Sequence, residues 1–168
     1  MIRTDRLVLR EGRPDDLAPL HEIFSSPLAM RYWDRPPYTE ISQSQEFLDA
    51  FIKADPATQY EFILECDGLC IGKAGVWNAP EIGYILHPDY WRKGLAFEAL
   101  SEIIPRAFTA LPGIDRLTAE LDPRNTGSWR LLEKLGFRRI HVIEKNFLYG
   151  EDEWCDTAYY ELPRPLST

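Results

Sequence analysis

Apolar residues recur with two different periods along this chain, and the period predicts each element. Arg6 to Arg10 carries a short apolar run and reads as a first strand. Pro14-Asp15-Asp16 opens a helix, with proline at an early turn and acids near the positive end of the helix dipole. Leu17, Leu20, Ile23 and Phe24 then recur at helical spacing, and Pro27 ends the pattern. Residues 28–41 hold Trp33, Pro36 and Pro37 and read as an irregular loop. A second helix follows from Ser42 to about Lys53, with Phe47, Leu48, Phe51 and Ile52 facing inward.

The next apolar runs are shorter and read as strands. Tyr60–Cys66 and Leu69–Trp77 form a hairpin, because Asp67-Gly68 suits a two-residue turn. That register sets Cys66 opposite Leu69 and Cys70 opposite Glu65, and alternation sends the two sulfurs to opposite faces. The pair therefore reads as structural, not as a metal knuckle. Ile82–Leu86 is a fourth strand, stopped by His87-Pro88. Leu95 to about Phe108 is a third helix, which Pro105 is expected to kink or shorten. Arg116–Leu121 is a fifth strand, and Ser128–Leu135 a fourth helix closed by Gly136. Arg138–Phe147 and Glu153–Leu162 read as the last two strands, with a turn around Gly150, and residues 163–168 as a short frayed tail.

The predicted order is β-α-α-β-β-β-α-β-α-β-β. It gives a mixed α/β sheet (α+β in class) of about seven strands with four helices, in a single domain over residues 1–168. The hairpins imply antiparallel pairing, and the connection through helix three makes strands four and five parallel if they are neighbours.

Composition narrows the function classes. Hydrophobic residues make up 45% and charged residues 27%, which implies a packed core and not a disordered chain. The 27 acids outnumber the 19 Lys and Arg, for a net charge of −8. That balance lacks the basic footprint of a nucleic-acid binder and is repelled by anionic membranes. Cationic or neutral partners are the easier ones to attract. Cys66, Cys70 and Cys155 are too few for a disulfide framework, so a cytoplasmic location is expected. Residues 1–5 show no signal-peptide pattern, and no run approaches the roughly 18 apolar residues of a membrane span. His21, His87 and His141 have no partners at metal-ligand spacing, so no metal is expected.

The chemistry concentrates in Glu81-Ile82-Gly83-Tyr84-Ile85-Leu86-His87-Pro88-Asp89-Tyr90-Trp91-Arg92-Lys93-Gly94-Leu95-Ala96. A strand ends, proline blocks its continuation, and a helix starts at a glycine next to two cations. The first amides of a helix lack internal acceptors and lie at its positive end, so such a turn suits a pyrophosphate. Gly94 lets phosphates approach the backbone because it has no Cβ. The segment lacks the Lys-Ser/Thr ending of a P-loop and the extra glycines of a dinucleotide fingerprint.

Trp91-Arg92-Lys93-Gly94-Leu95-Ala96 resembles the (Gln/Arg)-x-x-Gly-x-(Gly/Ala) motif of the GNAT superfamily of N-acetyltransferases, with Trp91 in place of Gln or Arg. An aromatic residue there is similar to the branch that acetylates the N-termini of ribosomal proteins. Asn125 and Ser128, followed by Leu135-Gly136-Phe137, resemble the same branch. So do the opening Thr4-Asp5-Arg6-Leu7-Val8-Leu9-Arg10 and the closing Asp156, Tyr159, Tyr160 and Leu162.

The resemblance implies the GNAT acyl-CoA N-acyltransferase fold, acetyl-CoA as co-substrate and a homodimer. It implies direct transfer of acetyl to a primary amine, either a protein N-terminus or a small molecule. The alternative is a non-catalytic acetyl-CoA sensor or regulatory subunit. By the resemblance, the backbone of Ile85 and Leu86 would pair with pantetheine and the amides of Arg92 to Ala96 would hold the pyrophosphate, with Trp91 in the same turn. Ser128 would stand near the sulfur and protonate the departing thiolate, and Asn125 would touch the pantetheine. The residues alone also explain Asn125 and Ser128 as a helix cap. Amine acetylation needs a base for the proton of the amine. Glu81, Glu120, Asp122 and His87 are candidates, and Glu81 is favoured as a base acting through water. Tyr32, Trp33 and Asp34 suit an aromatic and acidic wall for a cationic amine, with Glu120 alongside.

Overall fold

The computed structural model describes residues 1–166. Its elements are β1 (Ile2–Arg3), β2 (Val8–Arg10), α1 (Leu17–Phe24), α2 (Ile41–Ile52), β3 (Tyr60–Cys66), β4 (Leu69–Asn78) and β5 (Glu81–Leu86). Then come α3 (Leu95–Ala110), β6 (Arg116–Leu121), α4 (Thr126–Lys134), β7 (Arg138–Tyr149) and β8 (Glu153–Pro163). The strands form one sheet in the order β1-β2-β3-β4-β5-β6-β8-β7. Only β5 and β6, the expected fourth and fifth strands, run parallel.

The sheet has eight strands where about seven were expected. The extra one comes from the first segment, which turns back on itself. The Leu7 amide donates to the Thr4 hydroxyl at 2.9 Å and the Thr4 amide to the Leu7 carbonyl at 3.0 Å, so Ile2 pairs with Leu9 across a tight bend.

Helices cover both faces of the sheet. On one face, Ala99, Leu100, Ile103 and Ala107 of α3 pack with Leu64, Ile71, Val76, Ile82 and Leu86 of the strands. On the other, Leu20, Ile23 and Phe24 of α1 and Leu48 and Phe51 of α2 pack with Met30, Ile63 and Ile85. Alternation along β5 thus sends Ile82 and Leu86 to one layer and Ile85 to the other.

Pro105 does not shorten α3, which runs on to Ala110. Pro105 itself is exposed, while Ile103, Ile104, Ala107 and Phe108 are buried. Burying large apolar side chains contributes about 1.5–3 kcal/mol each, which outweighs the roughly 3 kcal/mol cost of an interior proline.

The hairpin turn has Asp67 at φ 50° and Gly68 at φ 80°, and it pairs Cys66 with Leu69 and Cys70 with Glu65. Cys66 packs in the α3 layer and Cys70 in the α1/α2 layer. α4 ends as its sequence suggests: Gly136 adopts φ 95°, the Phe137 amide bonds the Leu132 carbonyl, and the Gly136 amide bonds Glu133.

The expected frayed tail is tied down at Arg164. Its guanidinium donates to the carbonyls of Phe108, Leu111, Pro112 and Ile114, and its amide to Asp115. These carbonyls lie at and just beyond the C-terminal end of α3, where backbone acceptors are otherwise left over. Residues 167–168, also part of the expected tail, lie outside the described residues. Among the described residues no helix is long and apolar enough to cross a membrane, and no group of three potential metal ligands assembles.

Candidate active site

A gap opens in the middle of the sheet. β5 and β6 are in register only at Glu81 and Thr118, where the Thr118 amide bonds the Pro80 carbonyl at 2.9 Å. Beyond that point the strands diverge. The His87 amide bonds Ile71 on β4 at 2.8 Å. Backbone polar groups alternate along a strand, so Ile85 also turns its amide and carbonyl toward β4, opposite Lys73. Tyr84 and Leu86 turn theirs toward the gap. The backbone of Leu86 and Tyr84 therefore faces the gap, while that of Ile85, expected beside Leu86 as a pantetheine contact, faces β4. The period of a strand fixes which residues share a side, but not which neighbour lies on that side.

The turn after β5 forms the second part of the site. The Trp91 indole N–H donates to the Leu86 carbonyl at 2.8 Å, which ties the turn to the strand end. Arg92 at φ 60° and Gly94 at φ 78° both take left-handed backbone. The amides of Arg92 to Phe97 donate to no acceptor among the described residues. A Cβ on Gly94 would touch the Arg6 guanidinium at 3.5 Å, an ordinary contact, and no other group. Left-handed backbone and open amides are what a pyrophosphate cradle requires. Arg92 and Lys93 are exposed beside it, and Leu95 and Ala96 begin the helix.

Arg6 holds this turn from outside. Its guanidinium donates to the Lys93 carbonyl at 2.8 Å and to Glu98 at 2.7 Å, while the Thr4 hydroxyl donates to Glu98 at 2.5 Å. Burial pushes the Glu98 carboxyl up, but Thr4 and Arg6 outweigh it and hold the group below its usual range. The Thr4 and Arg6 of the opening segment thus staple α3 to the sheet edge.

Across the gap, α4 presents Ser128. Asn125 caps the helix, its Oδ1 accepting from the Ser128 amide at 3.2 Å. The Ser128 Oγ lies 2.5 Å from the Tyr84 hydroxyl. Burial pushes the Tyr84 phenol up to about 12, with the Ser128 hydrogen bond pulling the other way. Tyr84 and Ser128 lie on the α3/α4 side of the sheet.

Glu81 shares the opposite side with Gly83 and Ile85. Burial raises its carboxyl above the ordinary value and the nearby Glu120 raises it further, while Trp77 and Lys73 pull it back. Asp34 adds a smaller upward push. Asp122 is a weaker candidate base. Burial pushes it up, but its ion pair with Arg124, at 2.6 Å, wins and keeps it below the usual range. The His87 Nδ1 accepts from the Asp89 amide at 3.2 Å, the bond of a turn residue. Trp33 packs its ring against Phe24, with centroids 6.4 Å apart, and the Lys73 ammonium lies 5.6 Å from its centre. Tyr32 lies between the guanidiniums of Arg31 and Arg124, at 5.1 and 5.8 Å. The loop carrying both aromatics is anchored by the Tyr149 hydroxyl on the Met30 carbonyl and by Arg31 on Glu153.

Three residues escaped the sequence reading. Lys73 could have been noticed as one cation inside the apolar run Cys70-Ile71-Gly72-Lys73-Ala74-Gly75-Val76. Arg6 and Tyr84 gave no such sign, because each fits a strand pattern equally well without a further role.

A sequence-family model described as an acetyltransferase (GNAT) domain matches residues 6–138. The N-acetyltransferase YnaD of Bacillus subtilis is 31% identical, over 96% of this chain and 95% of that protein. The spermidine N(1)-acetyltransferase of Escherichia coli is 30% identical, over 85% of this chain and 79% of that protein. A GNAT-family acetyltransferase from Bacillus anthracis superposes with a TM-score of 0.82 at 27% identity, covering 96% of this chain and 97% of its own. A ribosomal L7/L12 α-N-protein acetyltransferase in complex with coenzyme A also reaches a TM-score of 0.82, at 17% identity and 95% coverage of each chain. That last likeness concerns the fold. The strand gap, the open amides and these relatives agree: the chain belongs to the GNAT acetyltransferase family and is an acetyl-CoA-dependent N-acetyltransferase.

Proposed function

We propose that the chain transfers acetyl directly to a cationic primary amine within a ternary complex, with Glu81 as base and Ser128 at the sulfur. The observation that carries this reading is the placement of the two groups. Glu81 stands where β5 and β6 last pair, at the closed end of the gap, and Ser128 begins α4 against Tyr84, whose side chain lies on the other side of β5. Acetyl-CoA supplies an acetyl thioester. The amides of Arg92 to Ala96 bind its diphosphate, and the backbone of Tyr84 and Leu86 orients its arm in the gap. A free amide on β5 also suits the thioester oxygen, where preorganised donors favour developing negative charge. An amine arrives protonated and must lose a proton before it can attack. Glu81, raised by burial and by Glu120, is suited to accept that proton through water. The Ser128 hydroxyl, at the start of α4, then stabilises sulfur as the thiolate departs, aided by the helix dipole.

The acceptor side carries Glu81, Glu120 and Asp34, and the Tyr32 and Trp33 rings already face the cations of Arg31, Arg124 and Lys73. The acids favour a cationic acceptor. Both a polyamine and a peptide N-terminus fit that chemistry. The Escherichia coli spermidine relative supports the polyamine. The Trp91 and Asn125-x-x-Ser128 pattern supports the ribosomal N-terminus. No observation favours the alternative in which acetyl-CoA is only sensed.

A thiol-release assay across polyamines, amino acids and ribosomal-protein N-terminal peptides tests the reading. E81Q should lose most of the turnover with the best acceptor while still binding acetyl-CoA. Full activity of E81Q would remove Glu81 from this role.

A further inference from the structure

The Tyr84 hydroxyl lies 2.5 Å from Ser128 Oγ, and the function proposed above gives that phenol no task. The geometry allows either hydroxyl to donate. A phenol, with a reference pKa near 10, is far more acidic than an aliphatic alcohol and is the stronger donor, which favours donation from Tyr84 to the serine oxygen. The other acceptor within reach is the Ser128 carbonyl, at a long 3.5 Å. The Ser128 amide is held separately, by the Asn125 side chain at 3.2 Å and the Asn125 carbonyl at 3.1 Å. Ser128 is therefore fixed on two sides. Its oxygen accepts a hydrogen bond from Tyr84, which leaves its own O–H for a group in the adjoining gap.

We infer that Tyr84 is a positioning residue: its hydroxyl fixes the rotation of the Ser128 hydroxyl so that the Ser128 proton points at the departing sulfur. The inference rests on the proposed role of Ser128 and deepens it. Tyr84 gives up no proton in this arrangement. Burial pushes it up to about 12, above an ordinary thiol near 8.5, so the phenol stays protonated when the thiolate forms. The backbone of Tyr84 faces the gap while its side chain braces α4, so one residue fixes both the strand and the hydroxyl opposite the arm.

Steady-state kinetics of wild type, Y84F, S128A and Y84F/S128A test this, together with the thermal midpoint of each. Phenylalanine keeps the ring and its packing, so the Y84F midpoint should stay close to wild type. Y84F should lower kcat about three- to tenfold, the worth of one neutral hydrogen bond. KM for acetyl-CoA should stay within about twofold. The double variant should be no slower than S128A alone, because Tyr84 acts through Ser128. Wild-type kcat in Y84F beside a slow S128A would overturn the inference and leave the Ser128 role intact. Losses that multiply in the double variant would overturn it too, since Tyr84 would then act independently. A fully active S128A would sink the Ser128 reading, and this inference with it.

Discussion

The Lys73 ammonium lies 2.6 Å from a Glu61 carboxylate oxygen, and both side chains are almost wholly shielded from solvent. The pair sits on the α1/α2 side of the sheet, where Lys73 also faces the rings of Trp33 and Phe47. K73M leaves a buried carboxylate without its partner, which should lower stability by about 3–5 kcal/mol. Removing both charges in K73M/E61L should recover most of that loss. Denaturant titration of the two variants measures the difference. Lys73 also pulls the Glu81 carboxyl down. The acid limb of the pH–rate profile in the double variant should therefore move to higher pH.

Glu81, the proposed base, can take a proton only when ionised. The rate should fall as pH drops through its raised pKa and level off above it. Glu120 contributes to that raise, so E120Q should move the acid limb to lower pH. E81Q removes the group and should cost about a hundredfold or more in kcat/KM. A pH–rate profile of the three proteins checks both statements. An E120Q limb at higher pH would contradict the assignment.

Gly94 combines φ 78° with the Arg6 guanidinium 3.5 Å from where a Cβ would stand. A left-handed conformation costs an L-residue about 1–2 kcal/mol, so G94A should be slightly less stable than wild type. Its methyl group would meet the Arg6 guanidinium that holds the turn, and the strained backbone would shift the amides of the proposed diphosphate cradle. G94A should bind acetyl-CoA more than about tenfold more weakly, a difference of about 1.4 kcal/mol or more. Calorimetry gives the affinity and a thermal melt the stability. G94R should abolish binding.

Arg164 lies far from the proposed chemistry but closes the end of α3. R164A should lower stability by about 1.5–3 kcal/mol, the range of hydrogen bonds to a charged group. Its acetyl-CoA affinity should match wild type. Truncation after Pro163 should behave like R164A, whereas removing residues 165–168 should change little by comparison.

The extent to which the sequence could be read differs from element to element. α4 was legible at both ends, because Asn125 and Gly136 are local signals whose hydrogen bonds stay within a few residues. The Asp67-Gly68 turn fixed its own register for the same reason. α3 was placed but cut short, since the proline cost is local and the burial that overrides it belongs to the sheet beneath. β1 was missed because Ile2 has meaning only when it is paired with Leu9.

The sequence by itself determined the periods, the turns and the glycine start of α3, because these depend on neighbours within one or two turns of chain. It also marked Glu81, Asn125 and Ser128 as chemically apt. Only the tertiary structure decided which strand neighbour each backbone group meets, and so moved the gap-facing role from Ile85 to Tyr84. It alone brought Arg6 onto α3, Lys73 onto Glu61 and Tyr84 onto Ser128, residues 92, 12 and 44 positions apart. Contacts at that separation leave no period in a sequence. They exist only once the core has fixed the distance between the elements that carry them.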